Sequence, residues 1–267
     1  MKIAIIGGGN MGVTYARAFV KRDIISPADL LIVEKHDEKR LLLEKEGIAR
    51  LASDITDELS NFDIVTIAVK PQDFAVMASQ LQKVLTQEQL IVSIMAGVTI
   101  SRIQEALHVR KVVRAMPNTP AQLGYGITAF TASAEAGMDS VATMDMLLET
   151  TGKSIFMKDE SLLDAVTALS GSGPAYFYYF IRHMVAAGTS MGLDEKVSRM
   201  LATHTMLGSF HILAQSGLPI DQLIAQVASK GGTTEAALNT FNEHQVGHHI
   251  ELALLNAEKR AKELSKG

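Results

Sequence analysis

From residue 1 to about 157, short β-branched apolar runs alternate with segments of helical periodicity: KIAII, LLIVE, DIVTIAV, LIVSIM, KVVRA, ITAFT and KSIFM. Few architectures accommodate that alternation. Runs apolar at nearly every position suit strands buried on both faces. Strands alternating with helices predict an α/β fold, a doubly wound and mostly parallel sheet covered by helices. After Phe156 the strand signals stop. Residues 159–265 read as consecutive helices, punctuated at Ser170–Pro174, Gly192, Gly217–Pro219 and Gly231–Gly232. The expected division is 1–158 for the α/β domain and 159–267 for an all-helical one.

The helical half is apolar on too many faces for a small free-standing bundle. Tyr176, Phe177, Tyr178, Tyr179, Phe180, Ile181, Met184 and Val185 follow one another almost without interruption. A helix apolar all round is buried on all sides. Either it forms the centre of the bundle or a second subunit covers it, and the shortness of the bundle favours a dimer.

Composition narrows the chemistry. With no cysteine, disulfides, thiolate zinc sites, iron–sulfur clusters and cysteine nucleophiles are excluded. A net charge of −4 offers nothing to a polyanion, so no nucleic acid partner is expected. No apolar run approaches the roughly 18 residues of a membrane span. The chain opens on a strand, leaving no room for a signal peptide, so the expectation is a cytoplasmic protein with no membrane partner. His244, His248 and His249 form a small cluster, but without an HExxH motif or an evident third ligand no metal site is expected. No serine lies in a G-x-S-x-G elbow. The 13 methionines read as core filler, and Ser170 and Ser172 read as caps.

The strand Ile3–Ile6 runs into GGGNMG and then a helical segment to about Lys21. Gly7, Gly9 and Gly12 have the G-x-G-x-x-G spacing. The first glycine allows the tight turn, the second admits a pyrophosphate and the third lets helix pack on strand. With Asn10 and Met11 they form the candidate dinucleotide loop. Glu34 ends the second strand 22 residues beyond Gly12, where an acid accepts from an adenosine ribose hydroxyl and repels a 2′-phosphate. Lys35, Lys39 and Arg40 follow and would bind that phosphate instead. NADH is favoured over NADPH on balance.

Further segments close predicted strands at the carboxyl edge, where open α/β sheets bind ligands. In AVKPQ (68–72) and SIMAGV (93–98), the small residues Ala68, Ala96 and Gly97 would let a nicotinamide lie near the backbone. In RAMPNTPAQLGYG (114–126), prolines stiffen a loop in which Asn118 either holds the chain or faces the nicotinamide. Ser229, Gly231, Gly232, Thr233 and Thr234 lead into a helix, and free N–H groups at a glycine-preceded helix start make a carboxylate site. Read more plainly, Thr233 or Thr234 is an N-cap.

These segments, with LSGSGPAY (169–176) and SKGGTTEAAL (229–238), resemble in order and spacing the pyrroline-5-carboxylate reductases. The resemblance spans essentially the whole chain. It implies a Rossmann-like domain joined to a helical dimerisation domain, in a homodimer or a larger ring of dimers. It also implies reduction of (S)-1-pyrroline-5-carboxylate, a cyclic imine carboxylate, to L-proline by NAD(P)H. Carried over, it implies cofactor contacts at Ala68, Lys70 and Ala96, and a substrate loop at Ser229 and Gly231–Thr234. Thr234 would bond the ring nitrogen, and Glu160 would lie near the substrate.

The chain departs from the family pattern at Lys230, where proline is usual, and at Gln226, Arg182, His204 and the residues near Val246. Two other readings compete. A hydroxy-acid dehydrogenase of this plan needs a lysine on the first long helix of the second domain, and 174–187 has none. A non-catalytic dinucleotide-binding protein would bind NADH without turning over an imine.

Overall fold

The computed structural model describes residues 1–266. The first strands and helices are β1 (Ile3–Ile6), α1 (Asn10–Lys21), β2 (Leu30–Val33), α2 (Asp37–Glu46), β3 (Arg50–Ala52), β4 (Ile64–Ile67) and α3 (Phe74–Leu81). Then come β5 (Leu90–Ser93), α4 (Ile100–Leu107), β6 (Val112–Met116), β7 (Gly126–Ala132), α5 (Gly137–Glu149) and β8 (Gly152–Phe156). The remainder is helical: α6 (Leu162–Val166), α7 (Gly173–Ser190), α8 (Glu195–Ser216), α9 (Ile220–Val227), α10 (Thr233–Glu243) and α11 (Val246–Lys266).

All seven apolar runs are strands. β3 is an addition, three residues at a sheet edge with Arg50 exposed, too short to show a period. The strands form one sheet in the order β3-β2-β1-β4-β5-β6-β7-β8, parallel throughout except where β6 meets β7. Every residue of β1, β2, β4 and β5 is buried, because helices cover both faces. Ile3 and Ile5 pack with Tyr15, Phe19 and Leu147 on one face, and Ala4 and Ile6 with Phe74, Leu81 and Ile103 on the other. The winding direction reverses between β1 and β4, which opens a crevice at their carboxyl ends.

By packing, the chain divides after Ser172 rather than at 159. One compact unit joins Met1–Ser172 to the stretch from Ala257 onward, and the other is Gly173–Asn256. The expected break at Ser170–Pro174 falls at Ser172, before α7, and the winding that leads up to it is a π-helical turn, Thr167–Gly171, running on from α6. Its Ser170 accepts a hydrogen bond from Asn118 Nδ2 at 3.2 Å. In the second unit α7 packs on α8, with Phe177 edge-on to Phe210 at 5.3 Å between centroids. α7 is not the centre of a bundle: Tyr178 and Tyr179 are 66% and 55% exposed, and α8 likewise exposes apolar residues such as Met200 and Leu207. Arg182 lies over the Tyr179 ring, 5.0 Å from its centroid. His244 falls in the break between α10 and α11, so it does not share a helix with His248 and His249. Among the described residues no helix is long and apolar enough to cross a membrane.

Tyr15 is fully buried, with its hydroxyl 2.9 Å from Thr128 Oγ1. Burial pushes its pKa from 10.0 up to about 12. Above pH 10 the unfolded chain gives up this proton while the folded chain keeps it, so stability falls as pH rises. Urea melts at about pH 9 and about pH 11 should show wild type losing about 1 kcal/mol that Tyr15→Phe does not lose.

Candidate active site

The glycine loop sits where β1 reaches the crevice. Gly7 has φ +110, and a Cβ there would lie 2.7 Å from the Ala68 carbonyl oxygen at the end of β4. At Gly12 a Cβ would lie 2.4 Å from Gly7 O and 3.1 Å from Ala68 Cβ, so α1 closes tightly on both strands. Gly9 is different: a Cβ there would meet nothing within 4 Å. It is the N-cap of α1, with extended backbone and no side-chain cap, so the helix N–H groups remain to be satisfied from outside. Open space in front of uncapped donors fits the pyrophosphate of a dinucleotide. Asn10 is exposed and Met11 half-buried at the same helix start.

Glu34 follows β2, as its sequence position predicts, but its carboxylate is turned into the protein. Its side chain is 6% exposed, Oε2 accepts from Gly8 N–H at 3.1 Å, and Oε1 accepts from His36 N–H at 2.9 Å. Lys39 Nζ stands 3.8 Å from Oε2. Arg40 is held by the Glu34 carbonyl at 2.9 Å and by Asp37. One carboxylate therefore braces both the glycine loop and the turn after β2.

At the carboxyl edge Ala68 is half-buried, and Lys70 is an exposed N-cap of the short turn Pro71–Asp73. Ala96 is half-buried in the loop after β5. Its neighbour Gly97 does not offer an open face as the sequence suggests: Leu264 of α11 covers it, with a would-be Cβ 2.9 Å from Leu264 Cβ. Asn118 holds the chain: Oδ1 accepts from Ile127 N–H at 3.1 Å while Nδ2 donates to the π-turn. Glu160 lies in the first unit, and its Oε1 accepts from Ile100 N–H at 2.8 Å and from Arg114 Nη1 at 3.0 Å. Arg114 Nη2 donates to Asp164 Oδ1 at 3.1 Å. Sequence reasoning missed this cluster, although Arg114 inside an otherwise apolar strand required a buried partner. Its side chain is 4% exposed.

In the second unit the 229–234 segment is a loop opening α10. Its N-cap is Gly232, not Thr233 or Thr234, and no side-chain hydrogen bond caps it. Thr233 and Thr234 occupy the first helical turn. Ser229 folds against Gly232, whose N–H donates to Ser229 O at 3.0 Å and whose Cβ, if present, would meet Ser229 Oγ at 2.6 Å. Glu235 reaches back to accept from Gly231 N–H at 2.6 Å, an element the sequence reading omitted. Its signal is that of a glutamate three residues past an N-cap. The remaining first-turn N–H groups form an anion-binding helix start.

Comparison with known proteins agrees with both halves of the chain. Residues 160–264 match the family model "Pyrroline-5-carboxylate reductase dimerisation", and residues 2–97 match "NADP oxidoreductase coenzyme F420-dependent". The chain is 34% identical over 268 residues to pyrroline-5-carboxylate reductase 2 of Bacillus subtilis, covering 99% of this chain and 95% of that one. It belongs to the pyrroline-5-carboxylate reductase family. Another reductase, from Vibrio alginolyticus, is 36% identical over 270 residues, covering 99% and 98%. Among solved structures, pyrroline-5-carboxylate reductase from Coxiella burnetii superposes with a TM-score of 0.90 at 29% identity, covering 100% of this chain and 99% of that one. Plasmodium falciparum pyrroline carboxylate reductase, crystallised with NADP bound, gives 0.88 at 26%, covering 99% and 98%. As in other members of the family, an N-terminal dinucleotide-binding sheet precedes a helical dimerisation region.

The glycines make a paired prediction. Gly9→Ala should leave thermal stability within about 0.5 kcal/mol of wild type while weakening NAD(P)H binding at least about tenfold by titration calorimetry, because a methyl enters the open cradle. Gly12→Ala should instead lose about 1–3 kcal/mol of folding stability through overpacking.

Proposed function

We propose that the chain reduces (S)-1-pyrroline-5-carboxylate to L-proline with a reduced nicotinamide dinucleotide. The observation that carries this reading is the α10 start, uncapped by any side chain and suited to a small carboxylate, in a chain whose other unit carries the glycine loop. The substrate carboxylate sits on the N–H groups opened by Gly231, Gly232 and Thr233, with Ser229 shaping the loop. The Thr234 hydroxyl orients the ring nitrogen. Lys230 adds a positive charge where the family usually has proline. When bound, the reduced nicotinamide supplies the hydride that ends on the imine carbon. Reduction of the iminium form leaves on the ring nitrogen a proton taken from solvent, so the protein's part is binding and orientation.

On the dinucleotide side Gly7, Gly9, Asn10, Met11 and Gly12 receive the pyrophosphate, and Ala68, Lys70 and Ala96 line the nicotinamide half. Asn118 acts by holding the loop after β6. Glu160 acts by fixing the start of α4 rather than by touching substrate, which the Ile100 and Arg114 bonds support. NADH is preferred, because Glu34 is a buried carboxylate whose nearest cation, Lys39, stands 3.8 Å away, beyond hydrogen-bond distance. A like charge brought to about 4 Å costs about 4 kcal/mol at an effective dielectric of 20. The exposed apolar surface of α7 and α8 is covered by a second copy, giving a homodimer or a ring of dimers in the cytoplasm.

Two measurements test this. Wild type should oxidise NADH in the presence of pyrroline-5-carboxylate, and Thr234→Ala should lower kcat/KM about 10- to 100-fold, the loss of one hydrogen bond to a charged group. A folded, dinucleotide-bound protein without turnover overturns the assignment, and an unaffected Thr234→Ala overturns the substrate geometry. Glu34→Gln keeps an acceptor for Gly8 but deletes the charge, so the ratio of NADPH to NADH affinity should rise at least about tenfold. An unchanged ratio refutes the role of Glu34.

A further inference from the structure

Four observations converge on the loop between β5 and α4. Its start is held by Ile94 N–H on Ile67 O at 3.1 Å and Met95 N–H on Ser93 Oγ at 3.2 Å. Its end is held by Ile100 N–H on Glu160. Its middle, Gly97, has φ +71 and lies under the last turn of α11, where an added Cβ would approach Leu264 Cβ to 2.9 Å and the Leu264 carbonyl carbon to 3.1 Å. Next to that contact, Ser265 Oγ donates to Asp164 Oδ1 at 3.0 Å, the same oxygen that receives Arg114 Nη2. Ala261, one turn earlier, is buried. The backbone of residues 264 and 265 is thus seated between a left-handed glycine and a buried ion pair.

We propose that Leu264 and Ser265 are positioning residues for the dinucleotide: by closing over Gly97 they hold the Ala96–Gly97 loop in its binding geometry. The proposal rests on the reading above that this loop borders the nicotinamide half. The loop leaves β5 beside the crevice, and a glycine, free to take either sign of φ, lets such a loop move unless a neighbour holds it. Binding to a loop already fixed avoids the ordering cost that a mobile loop would add. Gly97 is then glycine because of the helix lying on it, and the ion pair Arg114–Asp164 is the post to which that helix end is tied through Ser265.

The experiment reads dinucleotide affinity without any imine, by the fluorescence of bound NADH or NADPH. Removing residues 264–267 should weaken binding at least fivefold, and Ser265→Ala, which leaves the helix in place, should weaken it two- to threefold. Gly97→Ala should weaken binding more in the full chain than in the shortened one, where the clash with Leu264 is gone and only the cost of a left-handed alanine remains, so a double-mutant cycle gives a non-zero coupling. Shortened and Ser265→Ala proteins that melt earlier yet bind the dinucleotide as wild type does would overturn the proposal. Purely additive effects of the shortening and Gly97→Ala would overturn it too. If the shortened chain fails to fold, the Ser265→Ala affinity decides alone. Wild type that binds neither dinucleotide refutes the reading of the crevice itself, a different outcome from these.

Discussion

Where α1 leaves the glycine loop, the helix, the end of β1 and the end of β4 meet at a distance that a single methyl group would violate. Gly12 stands against Gly7 O and Ala68, and Gly7 against Ala68 O. Much else follows from that closeness. It sets the N-terminus of α1 at the rim of the sheet, so the partial positive charge of the helix start faces the crevice. It also brings Gly8 near the end of β2, close enough for Glu34 to bond its N–H. The position of Ala68, and the turn that carries Lys70, are fixed by the same contact.

A second theme is the inward use of carboxylates. Glu34, Glu160 and Glu235 each stand beside a segment read as a ligand site, and each accepts from a backbone N–H of the loop or helix start that forms it: Gly8, Ile100 and Gly231. A carboxylate held by backbone N–H groups makes a strong, charge-assisted bond, and in doing so it fixes the loop's shape. Glu34 braces two segments at once, the glycine loop through Gly8 and the turn after β2 through His36.

The strands are legible because their runs are apolar at nearly every position, the mark of burial on two faces, and the glycine loop because two of its glycines, Gly7 and Gly12, stand where contacts forbid a side chain. β3 is invisible in the sequence because three edge residues carry no period. The serines and glycines of 170–174 signal the break that falls at Ser172, but nothing in them shows that helical winding reaches Gly171 as a π-turn. Tertiary partners were the least visible. That Leu264 covers Gly97, or that Asp164 and Glu160 neutralise Arg114, depends on residues far apart in the chain, and one sequence gives no measure of distance between them. The division at 159 followed the loss of strand signals, while the packing follows the return of the last helix.

That return has a bearing on how the molecule is made. A chain emerges from the ribosome in order, and its domains generally fold as they appear. Here the first unit has its sheet synthesised early but waits for the stretch from Ala257 onward, with all of Gly173–Asn256 produced in between. Until then Gly97 stands uncovered and Asp164 lacks the hydroxyl of Ser265. The nascent sheet therefore matures late, once the stretch from Ala257 onward has been made.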